Sequence, residues 1–163
     1  EAAPLLYGGT GSLSKLQTMP DMLPDRLESG THNMPGIAGL LEGIRYVQRT
    51  GVETIAAHER RLTAQAVALL RQTEGIRLFW RDGFCHQTGV LSFVVEGVDC
   101  EELGEALARR GIALRAGLHC APLAHRTVGT LKTGTVRFSP SAFNTSQQVV
   151  QFAQILQRTI RKM

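Results

Sequence analysis

Long apolar runs are missing from this chain. None reaches the roughly 18 residues that a membrane-spanning helix needs, and no secretory leader is visible. Cysteine is scarce and odd in number: Cys85, Cys100 and Cys120 cannot form a disulfide framework, so a reducing, cytoplasmic setting is expected. Lysine is nearly absent, with Lys15, Lys132 and Lys162 the only ones among 18 basic residues. The basic residues read as spread along the chain beside acidic ones. That pattern fits some preference for anions and does not mark a nucleic-acid surface, and no nucleic-acid motif occurs. Internal repeats and low-complexity tracts are also lacking.

What remains is a chain of 163 residues, 43% hydrophobic, with a net charge of +4. A chain of this size buries enough surface to hold a core without a disulfide or a metal. It begins at Glu1 rather than at a methionine, and a fragment or processed product is expected on that ground.

Residues 1 to 33 carry Pro4, Gly8, Gly9, Gly11, Pro20, Pro24 and Gly30 and read as loop. Helical spacing begins after Asn33, with Ile37, Leu40, Leu41, Ile44 and Val47. Gly36, Gly39 and Gly43 within that helix point to close approach of another backbone. Gly51 breaks it. A second helix presents Ile55, Leu62, Ala66, Leu69 and Leu70, with Gly75 as its stop. The period then shortens. Ile76 to Arg81 and Gly89 to Val95 read as strands joined by a turn at Asp82 and Gly83. Asp99 caps a helix through Arg110, Ile112 to Arg115 is a strand, and 116 to 133 reads as irregular loop. Thr135 to Ser139 is a strand, and Thr145 with Gln148 opens a last helix carrying Val149, Phe152, Ala153, Leu156 and Ile160. The expected organisation is a loop segment over 1–33, linking helices over 34–74, and a domain over 75–163. The β-β-α-β-β-α order of the last part predicts an α+β fold, a mostly antiparallel sheet covered on one face by helices.

The chemistry gathers in Arg115-Ala-Gly-Leu-His-Cys-Ala-Pro122 and Gly134-Thr-Val-Arg-Phe-Ser139. A reactive cysteine needs thiolate character, which nearby positive charge promotes, and Arg115 and His119 are close in sequence to Cys120. The same residues are equally consistent with a buried structural cysteine. Cys85 falls in a turn, and Cys100 in the first turn of a helix, where burial is the better reading. His119, Cys120 and His125 match no standard zinc spacing, and no metal is expected. Arg137, between Val136 and Phe138 on a strand, either meets solvent or enters a cleft and forks onto a carboxylate. Arg115 poses the same choice. Gly8-Gly-Thr-Gly-Ser12 is a short loop whose amides and hydroxyls suit a phosphate, a weak signal in isolation.

Taken together, Leu6-Tyr-Gly-Gly-Thr-Gly-Ser12, Pro24-Asp-Arg-Leu-Glu-Ser-Gly-Thr-His-Asn33, Arg115 to Pro122, and Val136-Arg-Phe-Ser139 with Phe143-Asn-Thr145 resemble the class V aminotransferase family. The likeness is to its cysteine desulfurase and selenocysteine lyase-like branch. It covers nearly the whole chain as that family's C-terminal part, the small domain of the aspartate aminotransferase-type fold.

The resemblance implies a homodimeric, pyridoxal phosphate-dependent enzyme that converts cysteine to alanine. Cys120 would be the nucleophile that carries the persulfide. Arg137 would hold the substrate carboxylate, and Arg115, His119 and Asn33 would line the substrate site, with His32 beside them. Gly9, Thr10 and Gly11 would reach the cofactor phosphate across the dimer. A sulfur-acceptor protein is the implied partner. The family's Schiff-base lysine lies upstream of the glycine-rich loop, where this chain has none. The chain alone is therefore expected to hold no cofactor and to be inactive. Alternatives are another class V aminotransferase, a selenocysteine lyase, and a free-standing sulfur carrier or dimerisation module.

Overall fold

The computed structural model describes residues 3–9, 11, 13, 15–81 and 87–163. Thr10, Cys85 and the expected turn at Asp82 and Gly83 lie outside them. The chain divides into two compact units, Glu1–Arg49 and Thr50–Met163.

In the first unit, residues before Asn33 are irregular apart from one 3-10 turn at Asp25–Leu27. The Gly30 amide donates to the Gly9 carbonyl at 2.8 Å and so ties the two ends of this loop together. Helix α1, Met34–Thr50, begins where the sequence places it, because the Asn33 side chain accepts from the Gly36 amide at 3.0 Å. No residue of α1 is buried, and Ile37, Leu40, Leu41 and Ile44 are exposed. Among the described residues, nothing comes within 4 Å of where a Cβ on Gly39 or Gly43 would stand. The expected close backbone is therefore not found, and the one atom group crowding Gly36 is its own cap, Asn33.

The second unit opens with α2, Val52–Leu70, after Gly51 at φ +85°. It contributes Leu62, Ala66, Val67 and Leu70 to the core. The helix ends before Gly75. That glycine, at φ +76°, forms the entry to β1 instead, its carbonyl accepting from the Glu96 amide at 2.8 Å. Strands β1 (Ile76–Phe79), β2 (Leu91–Val95), β3 (Arg115–Gly117) and β4 (Thr135–Phe138) form one antiparallel sheet in the order β1-β2-β4-β3. Helices α2, α3 (Cys100–Ala108) and α5 (Ser146–Ile160) supply the rest of the core. This is the expected α+β arrangement.

The pleat sorts the sheet into two faces. Leu91, Phe93, Val95, Val136 and Phe138 point into the core, where Phe138 stacks on Phe152 at 4.8 Å between centroids. The opposite face carries the register row Phe79, Ser92, Arg137, Arg115.

Two helix caps follow the sequence. Asp99 accepts from the amides of Glu101 and Glu102, and Thr145 with Gln148 completes a capping box. Two boundaries differ from expectation. Ile112 belongs to a Schellman stop: its amide bonds the Leu107 carbonyl while Gly111, at φ +79°, bonds Ala108. With that amide committed to the helix end, the strand starts only at Arg115. Residues 116–133 are not one irregular loop either. Gly117 and Ala116 belong to β3, and Pro122 opens the short helix α4, Pro122–Thr127.

Candidate active site

The candidate site lies in the second unit, on the open face of the sheet and in the turn that joins β3 to α4. β3 and β4 bring Arg115 and Arg137 directly opposite each other. Like charges facing across an antiparallel pair repel. Moreover, the Nε of Arg137 is sealed from solvent and has no hydrogen-bond partner among the described residues. A buried donor on a charged group left unpaired costs free energy unless a ligand completes it. An anion with in-plane acceptor oxygens, such as a carboxylate, would relieve both costs.

The chain's charge pattern reinforces this. From Ala106 to Met163 there are nine Arg or Lys residues and no Asp or Glu; all 14 acidic residues precede that segment. The sequence reading of evenly mixed charge is corrected on this point. Glu101 of α3 brings a carboxylate towards the site, its Oε1 lying 3.7 Å from where a Cβ on Gly117 would stand.

The turn itself is unusual. Gly117 sits at φ +105°, His119 at +51° and Cys120 at +57°. Two successive non-glycine residues in the left-handed region cost about 1–2 kcal/mol each. The turn is held by the Ala121 amide bonding the Leu118 carbonyl at 2.9 Å. It is held also by His119, whose Nε2 lies 3.2 Å from both the carbonyl and the hydroxyl of Thr135. The result is an exposed Cys120 thiol at the tip. A buried structural cysteine, the competing reading, is therefore not what this residue is.

Burial pushes the His119 imidazole below its usual pKa, and the positive charges of Arg137, His125 and Arg115 act in the same direction. The bond to Thr135 opposes them without prevailing. His125 is buried, hydrogen-bonded through Nδ1 to Thr130 Oγ1 at 2.8 Å, and its ring lies 5.8 Å from that of His119. Thr130 and Thr135 are thus site-shaping residues that the sequence reading did not single out, since a threonine carries no signal until its partner is known.

Cys100 is the opposite of Cys120. It is buried, and burial raises its thiol pKa. Its Sγ lies 2.8 Å, and the Cα of Gly117 2.9 Å, from where a Cβ on Gly134 would stand. Gly134 also sits at φ +64°. Gly134→Ala is therefore expected to destabilise the unit by about 2–5 kcal/mol, combining left-handed strain with overpacking against backbone. Urea unfolding measures this, and a loss below about 1 kcal/mol would mean the β3 root is loosely packed.

The other sequence-predicted residues lie in the first unit. Gly9 and Gly11 line an open cavity of about 600 Å³ together with Asp25, Glu28 and His32. His32 pairs with Glu28 at 3.0 Å. Asn33 uses its side-chain oxygen as the α1 cap. The structure thus brings Cys120, His119, Arg115 and Arg137 into one site, and places Gly9, Gly11 and Asn33 in the other unit.

Comparison with known proteins gives this geometry a family. The model for aminotransferase class-V matches residues 1–152. The chain belongs to that family. Among class V relatives, a cysteine desulfurase from Synechococcus elongatus is 42% identical over 142 residues, covering 87% of this chain and 22% of its own length. In structure, the apo cysteine desulfurase of Thermococcus onnurineus NA1 matches 98% of this chain and 40% of its own, with TM-score 0.80 and 29% identity. Escherichia coli cysteine desulfurase CsdA, in an S-sulfonic acid form, matches 99% and 39%, with TM-score 0.79 and 27% identity. The chain therefore spans about a fifth to two fifths of these class V proteins. Among the described residues, no helix is long and apolar enough to cross a membrane.

Proposed function

We propose that this chain is the thiol-bearing, carboxylate-binding part of a class V cysteine desulfurase. The observation that carries the reading is the exposed Cys120 on a strained turn that His119 ties to β4, the strand carrying Arg137, whose buried Nε has no partner among the described residues. The fork of Arg137 binds the α-carboxylate of cysteine, and Arg115 adds positive charge from the adjacent strand. The thiolate of Cys120 attacks the substrate sulfur. A sulfur–sulfur bond forms and the substrate carbon–sulfur bond breaks, its electron pair leaving with the carbon, which is protonated to give alanine. Cys120 keeps the sulfur as a persulfide and passes it to an acceptor thiol or protein.

Pyridoxal phosphate in the intact enzyme would supply the electron sink for that carbon, its Schiff-base lysine coming from outside this chain and Gly9, Thr10 and Gly11 reaching its phosphate across the dimer. None of the three lysines lies on the arginine row or in the Cys120 turn, and Lys132 lines a separate cavity with Arg77 and Cys100. The intact, dimeric assembly would supply the anchor, with residues 1–33 at its active site or interface and the linking helices of 34–74 joining them to the small domain.

Given cysteine and pyridoxal phosphate, the chain alone is expected to release no sulfide and to form no borohydride-stable lysine adduct. Joined to the remaining part of a class V cysteine desulfurase, it is expected to turn over cysteine. A stoichiometric adduct on Lys132 would contradict this division of labour. Sulfur uptake from an outside donor, with no turnover in the joined protein, would favour a sulfur-carrier module.

A further inference from the structure

A turn with two residues in the left-handed region does not hold its shape unaided; besides the Ala121–Leu118 backbone bond, the ring of His119 ties this one to β4. Nε2 of His119 lies 3.2 Å from the Thr135 carbonyl oxygen, which can only accept, and from the Thr135 hydroxyl, which can do either, so the arrangement that bonds the carbonyl puts the proton on Nε2. In a neutral imidazole the other nitrogen is then a bare lone pair. That atom, Nδ1, is sealed from solvent and has no partner among the described residues. The anchor strand is β4, which carries Arg137 two residues beyond Thr135.

We propose that His119 is a positioning residue: a neutral strut that fixes the Cys120 turn to β4 at a set place relative to Arg137, and that lets go when Nδ1 takes a proton. The inference deepens the desulfurase reading but stands on geometry that needs no substrate.

The groups facing the ring support it. Arg137 on β4, Arg115 on β3 and His125 on α4 all oppose a second positive charge there, while Glu101 of α3 approaches at Gly117 and Cys120 follows in the chain. A proton on Nδ1 would be a buried donor with no acceptor, next to two guanidiniums. Because the folded protein lowers the ring's pKa, the strut is intact above the ordinary histidine range. Its contribution falls away as pH drops from that range through the lowered value.

The test uses nitrogen-15 NMR on the 163-residue chain, with no cysteine or cofactor present. The ring of His119 is expected as the Nε2–H tautomer, titrating below the usual histidine midpoint. Backbone order at residues 118–121 should be high at neutral pH and fall as the ring titrates. The held-to-freed ratio of the turn should change about threefold to tenfold, the span of one net hydrogen bond. In His119→Ala the turn should be loose at every pH. In His119→Gln, which keeps a donor for Thr135 but does not titrate, it should stay ordered without the pH step.

An Nδ1–H tautomer, or a turn equally ordered in His119→Ala and wild type, would overturn the proposal. Either result would leave the desulfurase reading intact, and failure of desulfurase activity would leave the strut intact.

Discussion

Cys120→Ser, in the chain joined to the rest of a class V fold, is expected to lower sulfur transfer to acceptor thiols by on the order of a thousandfold or more. The reason is chemical rather than structural. A serine hydroxyl is almost wholly protonated at neutral pH, and an alkoxide is a poor match for an attack on sulfur. Cys120 is exposed, so the change removes no core contact and should leave stability within about 0.5 kcal/mol of wild type. Cys100→Ser differs in both respects. It sits buried against Gly134 and Gly117, and replacing its sulfur places a hydroxyl in that contact. That variant should lose stability and keep chemistry. Sulfide release with dithiothreitol and urea unfolding, measured on both variants, separate the two cysteines. Wild-type sulfur transfer in Cys120→Ser would remove this residue from the mechanism.

Arg137→Ala carries the second largest effect. In the same joined protein, kcat/KM for cysteine should fall about a hundredfold to a thousandfold, the range for deleting one side of a desolvated charge pair. Arg137→Lys should recover only part of this, because an ammonium is a point charge and cannot fork onto a carboxylate. Stability should move the other way. Arg137 faces Arg115 across the β3–β4 pair, and its Nε is buried without a partner among the described residues. Truncating it removes a repulsion and an unpaired donor, so Arg137→Ala should be as stable as wild type or slightly more so. Loss of turnover with no loss of stability marks a residue kept for its ligand. Lower stability together with unchanged kcat/KM would make it a structural arginine.

The parts of the fold that were legible in sequence are those with local rules. Thr145 and Gln148 satisfy each other's backbone partners within one helical turn, and Asp99 caps its own helix. The helix after Asn33 came through for the same reason, and the mostly antiparallel sheet followed from the order of the elements. Less legible were polar positions that enter the core and positions decided by partners far along the chain. Thr63 and Thr159 are buried although polar, because each hydroxyl bonds the carbonyl four residues back and so enters the core satisfied. Gly75 read as a helix stop and proved to be a strand entry, because its partner is Glu96.

At the site, sequence placed Cys120, His119, Arg115 and Arg137 near one another in the chain, and only the family resemblance offered them roles. Only the register showed that the arginines face each other, and only the strand β4 showed what His119 holds. The acid-free stretch after Glu105 was visible in the sequence. It gained meaning once the candidate site was found to lie within it.

The central claim is that Cys120 is where sulfur lands. The direct measurement is to expose the 163-residue chain to a small-molecule persulfide donor, cap its thiols, and locate the added sulfur by peptide mass analysis. The account predicts one added sulfur atom on the peptide containing Cys120 and none on that containing Cys100. Sulfur on Cys100, or a Cys120 that stays unmodified while other thiols react, would contradict it.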